Sequence, residues 1–302
     1  MSDTDPVLEL VDLTKRFGRQ TAVQGVSLSV GRGEVYGFLG PNGAGKSTTI
    51  RMLLRLIRPS GGQARLWGQD VAAHPGQLAR VGSLVDGGTL YPFLTARQNL
   101  AVLGAVIGRR DPARADALLD QVGLGGAMDK RVKSFSTGMK QRLGVAAALL
   151  NDPELVILDE PSNGLDVSGI GEMRALIRRL ARDEGRTVFL CSHLLHEVEQ
   201  VCDRVAIVSK GAMVREASMA DLLERQDGVR VEADPPETAL SILSRRWPAR
   251  RDGAALVVEA RRADAPAIVA ALVEGGVQVF HIAVERRSLE DAYLSITEGA
   301  GA

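Results

Sequence analysis

Short runs in which apolar and polar residues alternate open this chain, helical spacing follows a glycine-rich break, and continuous apolar runs return beyond the middle. Over residues 7–30 the stretches VLELVDL and TAVQGVSLSV, broken by Gly18 and Gly25, predict an antiparallel, hairpin-like layer. The strand EVYGFLG comes next, then a glycine-rich loop, then a helix with Ile50, Leu53, Leu54 and Ile57 on one face, ended by Pro59 and Gly61-Gly62. Residues from about 95 to 150 read as mainly helical, with Thr95 as N-cap and breaks around Asp111-Pro112 and residues 123–126. Residues 155–158, 187–191 and 205–208 are short buried-type strands alternating with helices around 173–182 and 194–202, the order of a largely parallel sheet.

A composition break at residues 226–228 marks a boundary. Beyond it the reading is strand 229–233, helix 236–246, strand 255–259, helix 265–274, strand 277–284 and helix 289–296, a small α+β domain. The expected organisation is therefore an α/β domain over 1–226, with an inserted helical subdomain at about 92–152, and an accessory domain over 227–302. Its arginine pairs, Arg245-Arg246 and Arg261-Arg262, are interleaved with acids, as on a solvated face. The chain shows no repeat or low-complexity tract.

Composition narrows the partners. Lys+Arg 37 against Asp+Glu 37 leaves a formal net charge of +0, so no global field draws the chain to nucleic acid or anionic lipid. The two cysteines, Cys191 and Cys202, fit a reducing compartment rather than a disulfide framework. The start MSDTDPVLEL lacks the basic and apolar regions of a signal peptide, and the apolar runs fall short of the ~18 residues of a spanning helix. The expectation is a cytoplasmic chain.

Gly40-Pro41-Asn42-Gly43-Ala44-Gly45-Lys46-Ser47, followed by Thr48, matches G-x-x-x-x-G-K-[ST] between a strand and a helix, the context that pattern requires. Glycines let backbone N–H groups turn inward as an anion-binding nest at a helix N-terminus. Lys46 is placed to hold β- and γ-phosphates, and Ser47 to ligate magnesium. Further on, the apolar run at 155–158 ends in Asp159-Glu160, which delivers two carboxylates to the C-terminal edge of the sheet, where open α/β sheets bind ligands. Asp159 suits a second magnesium ligand and Glu160 a base for the attacking water. His193, after the strand TVFLCS, could reach the γ-phosphate from the same edge; it could equally be a helix-capping or surface histidine.

Taken in order and spacing, GPNGAGKST, FSTGM before KQR, LVILDEP, NGLD and SH resemble the nucleotide-binding subunit of an ABC transporter over roughly residues 7–217. The resemblance implies a P-loop NTPase (RecA-like) cassette with an antiparallel β layer and an inserted helical subdomain. It also implies ATP and Mg²⁺ as ligands, and a head-to-tail homodimer in which the 40–48 loop of one copy faces Ser136, Thr137 and Gly138 of the other across ATP. Phe17 falls where the family stacks an aromatic on adenine; on its own it reads as a core residue. Asp166 would cross the dimer interface.

Two departures stand out. The family's usual Leu-Ser-Gly-Gly-Gln is here Phe135-Ser136-Thr137-Gly138-Met139, and a Cβ at Thr137 narrows that turn. The family's magnesium-contacting glutamine aligns with Asp86, which is shorter and anionic and would reach the metal through water or leave the contact unmade. Both departures look like bacterial exporters of the daunorubicin- and bacitracin-resistance type, in which the cassette pairs with a separately encoded membrane permease. That places the chain peripherally on the inner face of the membrane, with no nucleic-acid partner. The apolar patch Leu90, Tyr91, Phe93 and Leu94 is a candidate dock for the permease, or else packs the helical subdomain. Two other readings stay open: a soluble ABC ATPase acting on ribosomes or nucleic acid, although the usual tandem cassettes, coiled-coil insertions and basic tracts are missing, and an importer ATPase.

Overall fold

The structure, a computed structural model, describes residues 6–85, 90–224, 228–285, 289–290 and 293–294. The chain divides into two compact units, Met1–Ser218 and Met219–Ala302, a division that falls ahead of the composition break at residues 226–228. In chain order the first unit contains β1 (Leu8–Phe17), β2 (Gln20–Val30), β3 (Val35–Leu39), α1 (Lys46–Leu53), β4 (Gly61–Leu66), β5 (Gln69–Asp70), β6 (Val81–Leu84), α2 (Ala96–Val106), α3 (Pro112–Gln121), α4 (Thr137–Ala148), β7 (Leu155–Asp159), α5 (Val167–Arg182), β8 (Thr187–Ser192), α6 (Leu195–Val201), β9 (Arg204–Ser209) and β10 (Ala212–Ser218).

Two sheets carry this unit. One is antiparallel, ordered β2-β1-β4-β5, so the predicted hairpin layer gains a third strand and a short fourth from beyond α1. The other is ordered β10-β9-β3-β8-β7-β6, parallel except for the β9-β10 hairpin at one edge. Every residue of β3, β7 and β8 is buried, as expected for strands covered on both faces. Across β3 and β8 the Phe189 ring stacks on Tyr36, centroids 5.9 Å apart, and meets Phe38 at a tilt, centroids 5.6 Å apart. Burial and the hydrogen bond to Glu216 push the Tyr36 phenol up, so it stays a neutral donor at 2.8 Å.

The helical insertion is ordered by local capping. Thr95 and Gln98 form a reciprocal capping box at the start of α2. Buried Asn99 then pins the preceding loop, accepting from Tyr91 N at 2.7 Å and donating to Tyr91 O at 3.1 Å. Arg114 on α3 donates to the carbonyls of Leu149 and Leu150, which satisfies acceptors left open at the end of α4.

The second unit contains α7 (Met219–Glu224), β11 (Gly228–Asp234), α8 (Pro236–Leu243), β12 (Ala249–Asp252), β13 (Ala255–Glu259), α9 (Ala265–Glu274) and β14 (Gln278–Glu285). Its antiparallel sheet is ordered β12-β13-β11-β14, and the β-α-β-β-α-β sequence of elements makes it a split βαβ fold. Val229, Val231, Leu256 and Val258 from the sheet and Ala239, Leu243, Ile268 and Leu272 from the helices form its core. The short charged strand β12 is absent from the sequence reading, and the predicted helix 289–296 lies only partly within the described residues.

Candidate active site

Strand register assembles the site. Leu39 at the end of β3 lies opposite Ser192 at the end of β8, and Asp159 at the end of β7 lies opposite Cys191. The three chain segments that leave these ends, beginning at Gly40, Glu160 and His193, therefore emerge side by side at the C-terminal edge of the parallel sheet.

The 40–48 loop is glycine-rich for identifiable steric reasons. Gly45 has φ 97, and a Cβ there would sit 2.6 Å from the carbonyl oxygen of Ala22. At Gly40 a Cβ would meet the Val208 carbonyl at 2.3 Å, so the loop lies directly against the β9 end. The first-turn N–H groups of α1 have no intrahelical acceptors and face an open cleft of about 420 Å³. That cleft is lined by the loop together with Gln20, Thr21, Ala22, Glu160 and Lys210.

Lys46 is only 6% exposed, and a buried ammonium is costly unless partnered. Its Nζ donates to Gly40 O at 2.7 Å and Pro41 O at 3.4 Å and lies 3.2 Å from Glu160 Oε1. The other carboxylate oxygen of Glu160, Oε2, is 2.7 Å from His193 Nδ1. Glu160 itself adopts φ 50, a left-handed conformation that costs of order 1–3 kcal/mol in a non-glycine residue. It is held there by its N–H donating to Cys191 O at 2.9 Å and by a turn in which Asn163 N donates to Glu160 O at 3.1 Å. From this position Glu160 lines the cleft. Beneath it, burial pushes the Cys191 thiol well up, with the Asp159 charge adding to the effect, so this cysteine stays protonated.

A divalent cation fits the residues present. The Ser47 hydroxyl and the Asp159 carboxylate are hard oxygen donors of the kind magnesium takes. Among the described residues no group of three or more His, Cys, Asp or Glu side chains could hold a metal by itself.

Ser136, Thr137, Gly138 and Asp166 are not among the residues that line this cleft. Ser136 caps α4, its Oγ accepting from Met139 N at 3.2 Å. Thr137 Cγ2 instead lies 3.3 Å from where a Cβ on Gly164 would be, and Leu165 Cδ2 lies 3.4 Å from the corresponding point on Gly138. Asp166 caps α5 by accepting from Gly169 N at 2.8 Å. Phe17 is 52% exposed, not a core residue, and pairs in register with the cleft residue Gln20, while Lys15 Nζ sits 4.9 Å from its ring centre. Asp86 lies outside the described residues. Tyr91 and Phe93 present their side chains outward, Phe93 74% exposed.

Sequence reasoning missed the cleft walls Gln20, Thr21, Ala22 and Lys210. Lys210-Gly211 is the tight turn joining β9 and β10, and Gly211 O accepts from Gln24 N at 2.7 Å, which ties that turn to β2 beside the cleft. The Lys-Gly pair after a strand was a turn signal, but the long-range contact was not visible in it.

Residues 23–163 match the protein family described as ABC transporter. Along nearly all of its length the chain is similar to the bacitracin transport ATP-binding protein BcrA of Bacillus licheniformis, 39% identical over 300 residues that cover 97% of this chain and 98% of the relative. The daunorubicin/doxorubicin resistance ATP-binding protein DrrA of Streptomyces peucetius is 41% identical over 224 residues, 71% of this chain and 66% of DrrA. Among solved structures, cbiO1 of Clostridium perfringens, part of the ABC transporter complex cbiONQ, superposes with a TM-score of 0.65 at 26% identity, covering 72% of this chain and 90% of that one.

Proposed function

The chain belongs to the ABC transporter family as an ATP-binding cassette ATPase, and on that premise we propose that it powers an exporter of antibiotics or other hydrophobic compounds through a separately encoded membrane permease. The observation that carries the catalytic part is the triad of Lys46, Glu160 and His193 at the sheet edge, linked at 3.2 and 2.7 Å. Lys46 exchanges its carbonyl and carboxylate partners for the β- and γ-phosphates of ATP. That exchange releases Glu160 Oε1 to take the proton of the attacking water, while His193 Nδ1 holds Oε2 and fixes the carboxylate's orientation. Ser47 and Asp159 would hold magnesium, which when bound neutralises phosphate charge. Phe17 offers its exposed face to adenine.

That Ser136, Thr137 and Gly138 do not line the 40–48 cleft supports sites completed by a second copy. Each copy would place its Ser136 hydroxyl and the α4 N-terminus against the γ-phosphate held by the other. Within one chain, the Thr137 methyl lies close to Gly164 and the Leu165 side chain close to Gly138, which sets that turn beside the segment leading from Glu160. Closure on ATP and reopening after hydrolysis then drive the permease through the differential affinity of the two states for nucleotide.

Docking is assigned to the outward Tyr91 and Phe93. Asn99 anchors the Tyr91 backbone, so the exposed rings stand on a rigid base. Among the described residues no helix is long and apolar enough to cross a membrane, and the membrane association proposed here runs through the permease. The test is co-purification with the membrane subunit: Phe93→Asp with Tyr91→Asp should release it while sparing ATP binding. Undisturbed co-purification would remove the assignment.

A further inference from the structure

The sheet of the second unit has two edges, β12 and β14, and they differ sharply. β12 is Ala249-Arg250-Arg251-Asp252, short and with Arg250, Arg251 and Asp252 exposed, features that blunt an edge against pairing. A second β12 laid against it would set arginine against arginine. β14 spans Gln278–Glu285, and over residues 278–284 it reads QVFHIAV, without proline, lysine or arginine and with His281 its single ionisable group. Apart from a bulge and the terminal Glu285, such an edge carries none of the devices that blunt pairing.

The inner side of β14 is fully engaged. Val284 pairs with Val229, Ala283 with Arg230, Ile282 with Val231 and His281 with Glu232, after which a register shift puts Val279 opposite Ala233. Phe280 is the extra residue at that bulge and is 69% exposed. A bulge often ends pairing, yet here residues 281–284 beyond it keep a regular register. Among the described residues, no hydrogen bond reaches the outer side of β14.

We infer that β14 pairs antiparallel with β14 of a second copy of this chain, joining the two C-terminal sheets without nucleotide. Antiparallel pairing of one strand with itself is isologous and closes on two copies. Over residues 278–284 it opposes no acid to an acid and no arginine to an arginine, the clash that excludes β12. The exposed Phe280 supplies apolar area that an unpaired edge would leave in water. The contact keeps two cassettes tethered while their ATP sites are open, at an effective concentration of order millimolar for a short link. It stands independently of the chemistry assigned to the first unit.

The test is sedimentation of the full chain without nucleotide, combined with hydrogen exchange at residues 281–284. Wild type should be dimeric, with amides in that stretch that gain protection as protein concentration rises. Phe280→Lys should weaken the dimer by about tenfold or more, a loss of one apolar anchor and gain of like charge across the twofold. Lys46→Ala should leave it intact, which separates this contact from any ATP-driven closure. A monomeric wild type would overturn the inference, as would a dimer whose β14 amides exchange at the same rate at every concentration. Protection of β14 only when the permease is present would assign the edge to that partner and overturn it as well.

Discussion

Replacing Glu160 with glutamine separates the catalytic from the structural work of this carboxylate. The substitution keeps shape and one acceptor oxygen but removes the charge that faces Lys46 Nζ at 3.2 Å and His193 Nδ1 at 2.7 Å. Lys46 retains the carbonyls of Gly40 and Pro41, so its ammonium is still solvated by the loop. The Glu160 side chain is 21% exposed, which softens the loss further, and the structural cost should be about 1 kcal/mol, a fall in Tm of roughly 2–4 °C for a unit of this size. The catalytic cost is larger. Losing a general base slows the chemical step by about 10²–10⁴-fold, or ~2.7–5.5 kcal/mol of barrier. Phosphate release at saturating ATP and magnesium, filter-bound ATP and a thermal melt together read all three quantities. The expected pattern is near-abolished turnover, retained ATP and a small shift in Tm. Turnover within about tenfold of wild type, with ATP still bound, would refute the base assignment.

Lys46→Ala should weaken ATP binding by about 10²-fold or more, because the buried cation facing the phosphates is gone; calorimetry showing unchanged affinity would reject the phosphate role. At the opposite end of the sheet, Arg186 beside Asp152 and Arg80 beside Glu154 hold both carboxyls below their ordinary values of 3.8 and 4.5. Stability from lowered carboxyls is complete above about pH 5 and is lost as pH falls through the lowered values. Arg186→Ala should therefore destabilise the chain at pH 7, with the difference from wild type shrinking below about pH 4 in a pH series of melts. Gly45→Ala should abolish ATP binding through the loop, since its Cβ would meet the Ala22 carbonyl at 2.6 Å and φ 97 suits only glycine; unimpaired ATP binding would show that the loop can rearrange.

Local signals account for what was legible in the sequence. The glycine-lysine loop, the acid-ended apolar strand and the Thr95 cap depend on neighbours within a few residues, and each sits in the element expected of it. Long-range pairing was less visible. β4 joins β1 across α1, and Lys210 reaches the cleft because the β9-β10 turn folds back on β2, connections that no local pattern encodes. β12 went unread because Arg250, Arg251 and Asp252 look like a solvated loop, although backbone pairing to β13 makes them a strand. The link between Glu160 and His193 was half visible: both lie at sheet ends, but only the β7-β8 register brings them to 2.7 Å.

The claim that each ATP site is completed by the other copy is tested most directly by occlusion of ATP in chains carrying Glu160→Gln. In that background Lys46→Ala should occlude no ATP, because its own loop is spoiled, and Ser136→Glu should occlude none, because its closing turn repels phosphate. A one-to-one mixture of the two should trap ATP, since each mixed pair holds one intact loop facing one intact Ser136 turn. An empty mixture, or full occlusion by the Ser136→Glu chain alone, would contradict it.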